Sequence, residues 1–475
     1  MLVAISDLHF TDGTAGEHNL PAAAFQSVFL SDIVALARHK KATEIKLLLL
    51  GDIVDLIRSE QWFEEAPENR PWGENGLQDT VQPQANSPIE QRCLKILGRF
   101  PSDGRRQSVA EDTILHKNWD TFAFFRNFQR TVQKALGRKL PVEIIYLVGN
   151  HDRLCNLYPS VRDELRKIMG LTVNQETTVM DSPWDWWYRY DYCDETYGVF
   201  ARHGHQFDAW NYGGGNKLTR QAHLQIPVGD VISTEFAVSL PRTLALLRQK
   251  YPEVSDNLIE NVKEVDNVRP FGRIVDWFHY KMKQEHSEQR RQALDEAFDT
   301  VLNRFLTINL VQQWRSPDTY WDELLRAASH PWLRRVVDKV TAYTNTEDLL
   351  HVLLPSVEKN FYSDRAMGAY RAAAYREQIW RENPEVNFIL YGHTHRPTLQ
   401  PLDGADGREV IYINTGTWRS HIHRTVALDQ SADFIKLKQM TYICFYHGGE
   451  DTDGKEPGTV SFDVWTGHKQ KRYVS

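Results

Sequence analysis

Short apolar runs recur along this chain, and each one stops at a polar cluster. They are Leu2 to Ile5, Leu47 to Leu50, Ile144 to Val148, Tyr197 to Ala201 and Phe388 to Tyr391. Their length and their aliphatic and aromatic content predict buried strands. Pro21 to Lys40 has a different rhythm. Phe25, Phe29, Ile33 and Leu36 recur every three or four residues, which predicts an amphipathic helix packed on a sheet. Helices are also predicted at Trp119 to Gly137, with Phe122, Phe125, Phe128 and Val132 on one side, and at about Pro159 to Met169, closed by Gly170. Trp184 to Tyr192 and Tyr197 to His203 read as paired strands. Further strands are expected at Val410 to Ile413, Thr441 to Tyr446 and Thr459 to Trp465.

Two stretches interrupt this alternation. Residues 58–140 read as an insertion, with a Pro-, Gly-, Asn- and Gln-rich loop over 66–88. Residues 207–384 show helical periodicity, as in Leu294, Phe298, Val301, Phe305 and in Trp332, Val336, Val340. That block begins with Asn211-Tyr212-Gly213-Gly214-Gly215-Asn216, which suggests a hinge. The expectation is an α/β (α+β) protein forming one domain over 1–475. Its core would be 1–57, 141–206 and 385–475, and the 207–384 insertion would form a helical cap.

Composition adds bounds. A chain of 475 residues with 41% hydrophobic content can bury a large core, and a net charge of −7 argues against coating nucleic acid or an anionic membrane. No run reaches the roughly 18 apolar residues of a membrane span. Met1 to Ile5 is too short for a signal-peptide core, so a cytoplasmic location is expected. Cys93, Cys155, Cys193 and Cys444 have no CxxC spacing and read as free thiols.

The polar clusters carry the chemistry. They read Ser6-Asp7-Leu8-His9, Gly51-Asp52, Gly149-Asn150-His151-Asp152, His203-Gly204-His205 and Gly392-His393-Thr394-His395. Asp, Asn and His at successive strand ends are what a multi-metal site on a sheet rim requires. Asp7 and His9, two apart at a strand end, are expected on one side of the sheet. Asp52 has two oxygens with which to bridge two cations, Asn150 offers a neutral carbonyl oxygen, and His203, His393 and His395 supply imidazoles. A mixed nitrogen and oxygen set without thiolate favours Mn, Fe, Zn, Co or Ni. Two such ions roughly 3.5–4 Å apart can clamp an in-line displacement at phosphorus and bring the pKa of water down to around 7. His151 is then the candidate proton donor to the leaving group, with Asp152 beside it to orient the ring or favour its protonated form.

As an ordered set, DLH, GD, GNHD, HGH and GHTH resembles the calcineurin-like binuclear metallophosphoesterases over the core strands. The resemblance implies a four-layer αββα sandwich with the site at its strand ends and two divalent metal ions, manganese first among them. One ion would be held by Asp7, His9, Asp52 and His395, the other by Asp52, Asn150, His203 and His393. A bridging hydroxide would be the nucleophile and His151 the proton donor. Asn414-Thr415-Gly416-Thr417-Trp418 is similar to the family's closing turn beneath the metals.

The function so implied is hydrolysis of a phosphomonoester, phosphodiester or pyrophosphate bond in a small molecule. A second reading is a DNA nuclease similar to the double-strand-break repair exonucleases. A third is a metal-free scaffold, which has no use for His151. Serine/threonine phosphatases are disfavoured, because their GDxxDRG and GNHE motifs give way here to Asp55-Leu56-Ile57 and to Asp152. DLH and GHTHRP look most like the UDP-2,3-diacylglucosamine pyrophosphatase branch. That branch has Arg where this chain has His151 and nothing matching the helical insertion, so its lipid substrate is not carried over.

Several neighbours have two readings at this level. His205 is a ligand or a companion of His203, and Asp55 supports a ligand or caps a helix. Arg153, Arg396 and Arg419 grip phosphate or form structural salt bridges. His421 and His423 fall outside the ligand set, and Trp184, Trp186, Trp187 and Tyr188 read as packing.

Overall fold

β1 (Leu2–Ile5), β2 (Ile45–Leu50) and β3 (Val142–Leu147) lie side by side and parallel, in the register Leu2↔Lys46 and Leu50↔Leu147. β1 is apolar throughout and β2 nearly so because both faces of their sheet are covered. Alternate residues serve different cores. Val3, Ile5, Leu47 and Leu49 pack among helices with Phe25, Phe29, Ile33 and Phe125. Leu2, Ala4, Leu48 and Leu50 face a second sheet through Tyr197, Val199, Phe388 and Leu390.

The second sheet runs β4 (Asp191–Asp194), β5 (Val199–Arg202), β6 (Phe388–Tyr391), β8 (Glu409–Asn414), β7 (Thr398–Asp403), with β5, β6 and β8 parallel. Its outer face, including Phe200, Ile389 and Tyr412, packs on Tyr370, Ala374 and Trp380 from helices Asp364–Arg376 and Ile379–Glu382. The first sheet is completed by β10 (Phe434–Tyr446), antiparallel to β1, with β9 (Ser420–Arg424) and β11 (Ser461–Arg472) paired to it. The chain is a mixed α/β protein with two mixed sheets, covered by helices on their outer faces. The computed structural model describes residues 1–16, 19–73, 83–171, 188–215, 217–269, 274–313, 364–403, 407–425, 433–451 and 458–472. Among them no helix is long and apolar enough to cross a membrane.

The expected strands are present, except that the one expected over Trp184 to Tyr192 is β4, Asp191–Asp194, paired with β5; β7, β9 and the first half of β10 are added to them. Those additions alternate polar and apolar residues too weakly to be read as strands. The helix expected over Trp119 to Gly137 is instead two, Trp119–Arg126 and Phe128–Leu136. Asn127 separates them, its side chain bonded to Ala123 O at 2.7 Å in competition with the helical ladder. Helix Pro88–Leu97, capped by Ser87, lies within 58–140 and was not expected. Residues 74–82 of the expected loop, Asn216, and Trp184, Trp186, Trp187, Trp332, Val336 and Val340 lie outside the described residues.

The described part of the helical insertion is joined to the core. Val231, Phe236, Leu240, Phe298 and Phe305 share the large cluster with the helix side of β1 and β2. Arg269 N–H binds Ile422 O of β9 at 2.9 Å. Among the glycines expected as a hinge, Gly215 (φ 60°) has open space around it, but a Cβ on Gly213 would lie 2.9 Å from Gln225, and one on Gly214 2.6 Å from the Tyr212 ring. Glycine serves close packing at both positions.

Candidate metal centre

β1, β2 and β3 run in one direction, as do β5, β6 and β8, so the polar clusters leave the carboxyl ends of two sheets at a common rim. β1 ends at Ile5, before the first motif. Asp7 and His9 therefore do not share a side by strand alternation, as their spacing suggested. Both adopt left-handed backbone conformations, φ 55° and 48°, as do Asp52 (54°), His393 (67°) and His395 (58°). Among the described residues, five of the eight non-glycine residues with positive φ are candidate ligands. Such conformations are costly for residues with a Cβ and collect where a site dictates side-chain direction.

The close approach is made by glycine. A Cβ on Gly149 would lie 2.2 Å from Asp52 Oδ1, one on Gly51 2.5 Å from His203 Nδ1, and one on Gly392 2.8 Å from Asp7 Oδ2. The turn after β8 braces the rim from below. Asn414 Nδ2 donates to Gly392 O at 2.6 Å, and Thr417 Oγ1 donates to Asp7 O at 3.0 Å.

Two groups built from the expected ligands result, Asp7 with His9 and His395 and Asp52 with His203 and His393, and a third joins His9 to Asp55 and His151. In the first, His395 Nε2 lies 3.1 Å from Asp7 Oδ1 and 3.2 Å from His9 Nε2. In the second, Asp52 Oδ2 lies 3.2 Å from His203 Nε2. The same oxygen is 3.8 Å from His9 Nε2, so Asp52 stands between the groups. Asn150 adds Oδ1, which is buried and accepts no hydrogen bond among the described residues.

Two of the histidines have an engaged outer nitrogen, whereas His395 Nδ1 is buried with no hydrogen-bond partner among the described residues. His203 Nδ1 donates to Leu50 O at 2.9 Å, and His9 Nδ1 faces Asp55 Oδ2 at 3.1 Å, which turns both Nε2 atoms toward the site. His205 is not in either group. Gly204 turns the chain (φ 100°), and His205 opens a short 3₁₀ turn against the Tyr212 and His223 rings.

Electrostatics separate the imidazoles. Burial drives His9 well below its usual pKa. Burial acts the same way on His151, but Asp55 and Asp52 together outweigh it and raise the pKa, so His151 keeps its proton more readily. Burial presses Asp52 toward neutrality, yet His203 and His151 hold its carboxyl well below the ordinary range. Burial acts against a charge on His203 as well, yet Asp52 first and then Asp7 raise its pKa to about 9.

One expected role moves. Asp152 does not orient His151. Its Oδ1 accepts Ile53 N–H at 2.9 Å and Val54 N–H at 2.8 Å, and its Oδ2 accepts Gly149 N–H at 3.0 Å, tying the β2 and β3 loops together. The carboxylate beside His151 is Asp55, with Oδ2 3.2 Å from Nδ1. Asp152 lies next to His151 in sequence, but its side chain turns back toward the β2 loop.

The arginines are also resolved. Arg153 pairs with Asp230 and Arg419 with Asp266, both buried, so both are structural. Arg396 is exposed. Tyr188 packs edge-on to Tyr146, and His421 and His423 sit on β9 outside both ligand groups. Cys93, Cys155 and Cys444 are buried and Cys193 is exposed, and all four are free thiols.

Sequence reasoning missed Arg58, Asp208, Asn211 and Asp266. Arg58 is buried, donates to Asp55 Oδ2 at 2.9 Å and lies 3.0 Å from Asp266 Oδ1. Asp208 lies 2.9 Å from His393 Nε2. Asp208 follows the HGH segment closely enough to have been a candidate, whereas nothing in the helical stretch around Asp266 marks it. No protein-family model and no curated protein matches this chain.

Proposed function

We propose that this protein is a binuclear metal-dependent phosphoesterase with the four-layer metallophosphoesterase sandwich, acting on a small-molecule phosphomonoester, phosphodiester or pyrophosphate. The carrying observation is Asp52, a buried carboxylate held in its ionised form, between Asp7, His9 and His395 on one side and His203 and His393 on the other, at the ends of two parallel strand sets. The residues fit the ions. Asn150 Oδ1 has no hydrogen-bond partner among the described residues, and His9 and His395 turn ring nitrogens toward each other at 3.2 Å. A cation would supply the partner that Asn150 Oδ1 lacks, which a purely structural role leaves unexplained, and would take the place of the His9–His395 contact.

Asp7, His9, Asp52 and His395 would hold one ion, and Asp52, Asn150, His203 and His393 the other. The chemistry supplied by such bound ions is polarisation of the phosphoryl oxygens and acidification of water. His151 holds a proton through Asp55 and delivers it to the departing oxygen. Asp55 orients His9 and His151 together, and against its burial His151 and Arg58 keep Asp55 ionised.

The test is hydrolysis by metal-stripped protein resupplied with Mn²⁺, using paired monoester, diester and pyrophosphate substrates plus single- and double-stranded DNA. Turnover of small substrates that is lost in EDTA supports the reading. Turnover of DNA alone transfers the site to a nuclease, and inactivity throughout rejects catalysis.

A further inference from the structure

Asp208 and Asn211 follow the His203 segment at the start of the helical insertion, and neither belongs to the ligand set. Asp208 Oδ2 lies 2.9 Å from His393 Nε2 and accepts from Asn211 Nδ2 at 2.8 Å. Asn211 Oδ1 accepts in turn from Asn150 Nδ2 at 3.3 Å. An ionised carboxylate only accepts, so Asp208 dictates the polarity of every link. Asn211 must turn its NH₂ toward Asp208, which leaves its carbonyl oxygen for Asn150. Asn150 must then give its own NH₂ to Asn211, and its Oδ1 is left facing away from the relay with no partner among the described residues. At the other end His393 donates from Nε2, which puts its lone pair on Nδ1. One carboxylate thereby selects the donor atom of two ligands assigned to the same ion.

The relay is fixed from outside. Asp208 Oδ1 accepts Trp210 N–H at 2.9 Å, and Gly229 N–H binds Trp210 O at 2.8 Å. A Cβ on Gly229 would lie 2.5 Å from Asn211 Oδ1. The helical insertion packs on this turn so closely that only glycine fits.

We propose that Asp208, acting through Asn211, is a positioning residue for the second ion, so that the helical insertion determines whether the centre holds one ion or two. This inference rests on the binuclear reading and extends it to residues outside the motifs.

The test is calorimetric Mn²⁺ titration of metal-stripped protein, with thermal melts in EDTA as a check on folding. Wild-type protein is expected to bind two ions. Asp208→Asn is expected to weaken the second about 10–100-fold and leave the first unchanged. Asn211→Leu frees Asn150 alone and should cause a smaller loss at the same ion. Two ions at wild-type affinity in both variants overturn the proposal, as does equal weakening of both ions. If Asp208→Asn does not fold, Asn211→Leu decides by the same criteria. Fewer than two ions in the wild type refutes the binuclear reading and the inference with it, whereas two ions in wild type and variants alike refutes the inference alone.

Discussion

Asp266→Asn tests how firmly the helical insertion is joined to the rim that carries the candidate ligands. Asp266 is 1% exposed and lies between two buried guanidiniums, 3.0 Å from Arg58 Nε and 2.6 Å from Arg419 Nη2. Arg58 continues to Asp55 at 2.9 Å, so two acids and two bases alternate in a balanced buried row. At an effective dielectric of about 20, each contact near 3 Å is worth about 5 kcal/mol before desolvation is subtracted. Neutralising Asp266 removes the carboxylate that both guanidiniums share, and breaking a buried pair in this way costs about 3–5 kcal/mol. Urea unfolding of metal-free protein measures it. The double variant Asp266→Asn, Arg419→Met restores charge balance and should lose less than the two single variants added together, by about 1–3 kcal/mol. A single-variant cost below about 1 kcal/mol, or strict additivity, would refute the buried row as a joint between insertion and core.

His151→Ala should keep its bound metal while losing about 10²–10⁴-fold in turnover on alkyl phosphates and less on an activated aryl phosphate; equal losses on the two substrates would contradict proton donation. Gly149→Ala should displace Asp52, whose Oδ1 would lie 2.2 Å from the new Cβ, and so lower metal stoichiometry in a folded protein. Unchanged metal content there would mean that the β3 loop can yield. Stability should also fall with acid through His223. Burial takes its pKa from 6.5 to about 4, so between those values the unfolded chain gains a proton that the folded one refuses. The stability present above pH 6.5 is then lost by up to about 3 kcal/mol as pH drops toward 4. His223→Phe, which keeps a ring stacked on Tyr190, should flatten that limb of the stability–pH curve. An unchanged slope would assign the loss to other groups.

Local order of residues was enough to determine much of this protein. Five apolar runs ending in Asp, Asn and His specify strands whose tips carry ligand-type atoms, because strand periodicity and donor chemistry are both local properties. The helices with clear stops at Gly137 and Gly170 are legible for the same reason, since a left-handed glycine ends them wherever they pack. Other features depend on which segments meet. Asp152 and Asp55 are equally plausible partners for His151 along the chain. Only the meeting of the β2 and β3 loops turns Asp152 to backbone amides and brings Asp55 to the ring. Asp208, Asn211 and Asp266 act across long sequence separations, on His393, Asn150 and Arg58, and no spacing rule records a contact of that kind. The chain order of the motifs therefore supplies the donor atoms, and tertiary packing decides which carboxylates orient them.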